Sequence, residues 1–191
     1  MRRVWWPVVS AIAIAGWLLL PGQCRAEAKC PWLNAATASG ILGGDVRMTV
    51  TPPREPAAQS PDPTVYQADQ VRMDRFDVSC EFQRAADSGL NTLDIAVTTM
   101  SDPAKEFPSF LSLCRGTTVA LKAIGNDAVQ CVMKDGGTNS SNRVEQVIAR
   151  VRNRAFVLTV SRHAPASAAA VGDELSPDTR SIAEQVAGSL F

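Results

Sequence analysis

The sequence predicts an α+β fold, a mainly antiparallel six-stranded sheet with helices packed on it, and three observations predict it. Six segments alternate apolar and polar side chains with period two. Three others carry capped, helix-type sequence, in the order helix, three strands, helix, three strands, helix. The strands follow one another through hairpin turns, which favours antiparallel pairing, with helices expected on one face and water on much of the other.

The elements follow in chain order. Asn34 supplies an Asx cap for a short helix of small residues that stops at Gly43-Gly44. Val46, Met48 and Val50 alternate with Arg47, Thr49 and Thr51 in the first strand. Residues 52–64 hold five prolines and no apolar side chain larger than alanine, so they read as a surface connector. The second strand sets Phe76, Val78, Cys80 and Phe82 opposite Asp77, Ser79, Glu81 and Gln83, and the third sets Leu93, Ile95 and Val97 opposite Asp94, Ala96 and Thr98.

The period then changes. Phe107, Phe110, Leu111 and Cys114 fall at helical spacing over residues 103–114, behind an Asp102-Pro103 start. A fourth strand shows Val129, Cys131 and Met133 on one face. After a polar loop over residues 135–142, a hairpin follows: Val147, Ala149 and Val151 oppose Ile148, Arg150 and Arg152, then Phe156, Leu158 and Val160 oppose Val157, Thr159 and Ser161. Asn153-Arg154 is the expected tight turn, and Ser176-Pro177 opens a closing helix with Ile182, Ala183, Val186 and Leu190 inward.

Ahead of this domain, residues 1–28 have the order of a secretory signal peptide: Arg2-Arg3, an uncharged apolar run over residues 4–20, then Pro21-Gly22 and small residues up to Ala28. The expected mature domain is residues 29–191. An uncleaved anchor and a lipid on Cys24 are the alternatives, and a membrane partner is expected only with one of them. Cleavage removes Arg2, Arg3, Arg25 and Glu27, leaving a net charge of about −2 and no electrostatic pull toward nucleic acid. Trp32 and Tyr66 are then the remaining large amphipathic aromatics, a poor supply for a base-stacking platform.

Four cysteines stay in residues 29–191, an even number that reads as two disulfides in an oxidising compartment. No Cys-x-x-Cys is present and the single histidine is His163, so zinc and thioredoxin-type chemistry lack a ligand set. Three pairings are open. Cys80 and Cys131 fall on apolar strand faces, Cys30 before the first helix and Cys114 on the inward stripe of the second. Tying each helix to the sheet it covers selects Cys30 with Cys80 and Cys114 with Cys131.

Several short segments then carry a resemblance: Cys30-Pro31-Trp32-Leu33, Ile41-Leu42-Gly43-Gly44, Ser79-Cys80-Glu81-Phe82 and Ile124-Gly125-Asn126-Asp127-Ala128-Val129, followed by a strand pair and a closing helix. In that order they resemble a bacterial secreted cell-envelope domain family, lipoprotein-type domains of unknown function, with a layout similar to the PsbP-like fold. The resemblance implies a non-catalytic envelope protein, secreted or periplasmic, and transfers no catalytic residue.

The candidate functional residues are few, and no cofactor is expected. His163 with Ser161 two residues earlier would serve a small hydrolase, the alternative reading, although no Gly-x-Ser-x-Gly elbow accompanies them. Asp127, in the Gly125-Asn126-Asp127 turn, is one carboxylate where calcium needs six to eight oxygens. Gly136-Gly137 lacks the lysine of a phosphate loop, and Asn139-Ser140-Ser141 matters only where glycosylation occurs. The polar sheet face is the remaining candidate. It is expected to bring Arg47, Arg150 and Arg152 to the same side as Asp77, Glu81 and Asp94, a mixed-charge surface for an envelope protein, peptide or small ligand.

Overall fold

The computed structural model describes residues 29–52, 76–86, 89–132, 142–163 and 175–191. Residues 1–28, read above as a signal peptide, residues 53–64 of the proline-rich stretch, Gly136-Gly137 and Asn139-Ser140-Ser141 lie outside the described residues. The described elements are α1 (Ala35–Leu42), β1 (Arg47–Thr51), β2 (Val78–Ala86), β3 (Gly89–Thr99), α2 (Pro103–Leu111), β4 (Thr117–Ala120), β5 (Asp127–Val132), β6 (Asn142–Val151), β7 (Arg154–His163) and α3 (Pro177–Ser189). They make an α+β fold around one sheet of seven strands, ordered β1-β2-β3-β7-β6-β5-β4, with every neighbouring pair antiparallel.

The helix ends follow from local chemistry. Asn34 Oδ1 accepts from the Thr37 N–H at 2.8 Å, and Gly43 closes α1 at φ 81°, where its N–H returns to the Ser39 carbonyl. That left-handed cap suits a residue without Cβ. Asp102 starts α2 by accepting from Lys105 N–H, while Glu106 reaches back to the Asp102 N–H at 2.7 Å, a reciprocal cap. Ser176 caps α3 ahead of Pro177.

Two corrections concern the layers. The sheet has seven strands, not six, because Thr117–Ala120 adds an edge strand beside β5. All four of its residues are exposed, so its sequence carries no alternation to betray it. The helices also lie on both faces rather than one. α1 packs on β2 and β3, and α3 on β6, over a core of Phe82, Leu93, Ile95, Phe156, Leu158 and Val160. α2 packs on β6 and β7 from the opposite side, closing Phe107 and Phe110 over Ile148, Ala155 and Val157. The centre of the sheet is therefore buried twice. Val147-Ile148-Ala149 and Ala155-Phe156-Val157-Leu158 show it as unbroken apolar runs.

The hairpin turn also shifts by one residue. Val151 pairs with Arg154, so Arg152-Asn153 forms the turn in place of Asn153-Arg154, with Arg152 at φ 54°. Asn126 holds that turn: its Oδ1 accepts from the Arg152 N–H at 2.6 Å, and its own N–H donates to the Arg150 carbonyl at 2.8 Å. Gly125 makes the approach feasible, since a Cβ there would stand 2.4 Å from the Arg150 carbonyl oxygen. The Gly125-Asn126-Asp127 turn thus clamps the neighbouring hairpin.

Disulfides join Cys30 to Cys80 and Cys114 to Cys131. The first ties the entry to α1 onto β2 on one face. The second ties the segment after α2 to β5 on the other, so each helical layer has its own covalent link to the sheet.

Candidate binding face

Strand register decides which polar side chains meet. Side chains directly opposite on neighbouring strands share a face, about 5 Å apart. On the α2 side, one row runs Thr49, Glu81, Asp94, Thr159, Gln146 from β1 to β6 and ends at Cys131 of the disulfide. The next row outward runs Arg47, Gln83, Thr92, Ser161. Since α2 occupies β6 and β7 further along, these rows form a polar shelf beside it.

The six residues expected on a common face do not act together. Arg47, Glu81 and Asp94 belong to the shelf. Asp77 lies at the other end, where Thr99 N–H at 2.7 Å and the Thr98 hydroxyl at 3.3 Å donate to its carboxylate, closing the end of β3. Arg150 is on this side of the sheet but pairs with Asp127 and lies over the Phe107 ring at 6.0 Å, under α2. Arg152 is not on the face at all: it sits in the turn, over the Phe191 ring at 5.6 Å. The one-residue shift of the turn takes it out of the strand alternation. Asp127, weighed as a cation ligand, is that partner of Arg150.

Ser161 and His163 share a face of β7, two residues apart. The His163 N–H donates to Asn91 Oδ1 at 2.8 Å, and its imidazole stands over Gly89, where a Cβ would meet the ring at 2.6 Å. That arrangement fastens the end of β7 to β3. Among the described residues, no group of three His, Cys, Asp or Glu side chains is placed to hold a metal ion, and no helix is long and apolar enough to cross a membrane.

The shelf has an unusual titration. Asp94 is pushed up from 3.8 to about 6, chiefly by burial, then by the Glu81 charge across the strand, against a hydrogen bond from Thr92. Gln83 Nε2 meanwhile donates to Glu81 Oε1. A folded-state value above the unfolded one means that the folded protein holds the proton more tightly. Ionising Asp94 therefore costs stability as pH rises through 4 to 6, fully so above that window. Two pH units correspond to about 3 kcal/mol. Solvent reaching the half-buried pair reduces this, so Asp94→Asn is expected to stabilise by about 2 kcal/mol at pH 7.5. The gain should vanish near pH 4, as urea midpoints at the two pH values would measure; an equal change at both would contradict the assignment.

Sequence alternation found Glu81 and Asp94 but missed Thr159 and Gln146 as members of the site. The signal was present: Glu145-Gln146 directly precedes the apolar run of β6, and both are buried, at 6% and 5% exposure. Only the register of β6 with β7 sets Gln146 beside Thr159.

No family model and no curated protein matches the chain. Among solved structures it is similar to the extracellular domain of PknH from Mycobacterium tuberculosis, with 12% sequence identity, a TM-score of 0.43, and coverage of 83% of this chain and 91% of that one.

Proposed function

We propose that the chain is exported, with residues 1–28 removed as a signal peptide, and that residues 29–191 serve outside the cytoplasm as a non-catalytic binding domain of the cell envelope. The observation that carries this reading is the pair of disulfides, one in each helical layer. Structural disulfides persist where thiols are oxidised, which favours the periplasm or the exterior over the cytoplasm. The binding surface is the polar shelf of Arg47, Glu81, Asp94 and Thr159, which share one face beside the buried Gln146. Its partner is an envelope protein, peptide or small envelope component, bound and not transformed.

Intact mass and thiol labelling of the protein taken from its native location test the export. The expected product lacks residues 1–28 and takes up no alkylating agent under denaturing, non-reducing conditions. Labelling at Cys30, Cys80, Cys114 and Cys131 would overturn the reading. Co-purification from the envelope fraction tests the surface: partners held by the wild-type chain should be lost with Arg47→Glu plus Glu81→Lys and kept with Arg152→Glu, which alters a charge away from the shelf. The opposite pattern would remove the shelf from the function.

A further inference from the structure

The two edges of the sheet differ. β1 contains Arg47 and runs into Pro52-Pro53, a charge and two residues without N–H, both of which discourage another strand from pairing. β4 has neither device: Thr117-Thr118-Val119-Ala120 is uncharged, rich in β-branched side chains and exposed at all four positions, Val119 at 48%. Its open hydrogen-bonding groups follow from the register. The Leu121 N–H donates to the Ala128 carbonyl at 2.8 Å, continuing the pairing of Ala120 with Val129. Antiparallel strands use alternate residues for such bonds, so Leu121, Val119 and Thr117 face β5, while the N–H and C=O of Thr118 and Ala120 point outward. The Cys114–Cys131 disulfide, with Cys131 opposite Thr118, holds this edge in shape before any partner arrives.

Charge selects the occupant. Arg115 and Lys122 flank the strand, both exposed, and neither side chain has an ion-pair partner among the described residues. A second copy pairing antiparallel would bring Arg115 of one chain toward Lys122 of the other, setting like charges across the contact. An extended segment with carboxylates at both ends instead meets a cation at each end, whichever way it runs. We propose that β4 docks an extended peptide segment of a partner protein, uncharged and β-branched at its centre and acidic on both sides, by adding it to the sheet as a further strand. This edge lies opposite β1 and does not depend on the polar shelf.

The probe is the acetylated and amidated peptide Glu-Glu-Thr-Val-Thr-Val-Glu-Glu, titrated into the oxidised, exported protein at about 0.15 M salt to screen loose surface attraction. Saturable binding is expected, with amide exchange slowed at Thr118 and Ala120 and unchanged at Val119, whose N–H already faces β5. Affinity should fall at least tenfold with Ala120→Pro, which removes an outward N–H and no bond to β5, and severalfold with Arg115→Gln plus Lys122→Gln. The double glutamine variant leaves the backbone intact, so it tests the site even where proline disturbs the fold. Arg180→Gln, which removes an exposed cation on α3, should leave binding unchanged. The same peptide N-methylated at its four central residues should not bind, and lysines in place of its glutamates should weaken binding at least tenfold. The inference is overturned by an absence of saturation, by equal binding of the N-methylated peptide, by equal weakening in Arg180→Gln, or by protection that appears elsewhere than β4. A concentration-dependent dimer abolished by Ala120→Pro would assign the edge to a second copy, and slow exchange at both amides in the unliganded monomer would mean that the chain covers its own edge; either overturns the choice of occupant.

Discussion

Replacing Cys30 and Cys80 together by alanine is expected to lower stability by about 4 kcal/mol. The bridge spans 50 residues of sequence, and holding the unfolded chain in a loop of that size removes entropy that the folded state does not have to lose. Against a total of about 5–15 kcal/mol for a domain, this is a large share. The enclosed segment includes α1 and β1. Cys80 is fully buried in the row Val50, Cys80, Ile95, Leu158, and alanine there also leaves a gap beneath α1. The melting temperature should fall by about 8–16 °C. In urea, the slope of unfolding free energy should rise, since a chain without the crosslink exposes more surface when unfolded. The Cys114→Ala, Cys131→Ala pair, with its 17-residue separation, should cost about 3 kcal/mol. A Cys30/Cys80 variant that melts within 2–3 °C of the parent, about 1 kcal/mol, would show that the bridge does not restrain the unfolded chain.

Much of this architecture was legible in the sequence because its signals are local. Asn34, Asp102 and Ser176 cap the three helices, and Gly43 ends the first. β2 and β3 alternate because one of their faces meets α1 and the other the polar shelf. The missing parts have the opposite character. β4 is exposed along its whole length and joins the sheet through backbone hydrogen bonds, which any side chain permits. α2 goes to the second face because Ile148 and Val157 are apolar where a one-sided sheet would be polar, a long-range consequence of which strands lie at the centre. The turn at Arg152-Asn153 hid its left-handed residue under an arginine, which Asn126 compensates from another loop. The candidate site divides in the same way. Its carboxylates stand on alternating strands and are visible as such, whereas Gln146 joins them only through the register of β6 with β7, which no short segment encodes.

Glu145→Ala is expected to cost about 3–4 kcal/mol at neutral pH, through loss of α3 from the sheet. Glu145 lies on the face opposite Gln146, in the otherwise apolar row Met48, Phe82, Leu93, Val160. It is 6% exposed because it serves the start of α3: the Ser176 N–H donates to it at 3.2 Å and the Ser176 hydroxyl at 2.6 Å, the Thr179 hydroxyl donates too, and Arg143 forms an ion pair with it. Alanine leaves these donors without their acceptor beneath the helix, and breaking a buried charged arrangement from one side costs about 3–5 kcal/mol. Burial alone would raise the Glu145 carboxyl, but the Ser176 and Thr179 hydrogen bonds and the Arg143 charge outweigh it and hold the group below its usual 4.5. A lowered folded-state value means stability that is present above 4.5 and lost as pH falls through the folded value, so the cost of Glu145→Ala should shrink in acid. Glu145→Gln, which keeps one acceptor oxygen without the charge, should cost about half as much. Urea unfolding at neutral and acid pH measures the energies, and amide exchange locates them: protection should fall first in α3, where Ile182, Ala183 and Val186 cover the sheet. A penalty below 1 kcal/mol, or one equal at pH 3 and pH 7, would mean that this carboxylate does not fasten the helix.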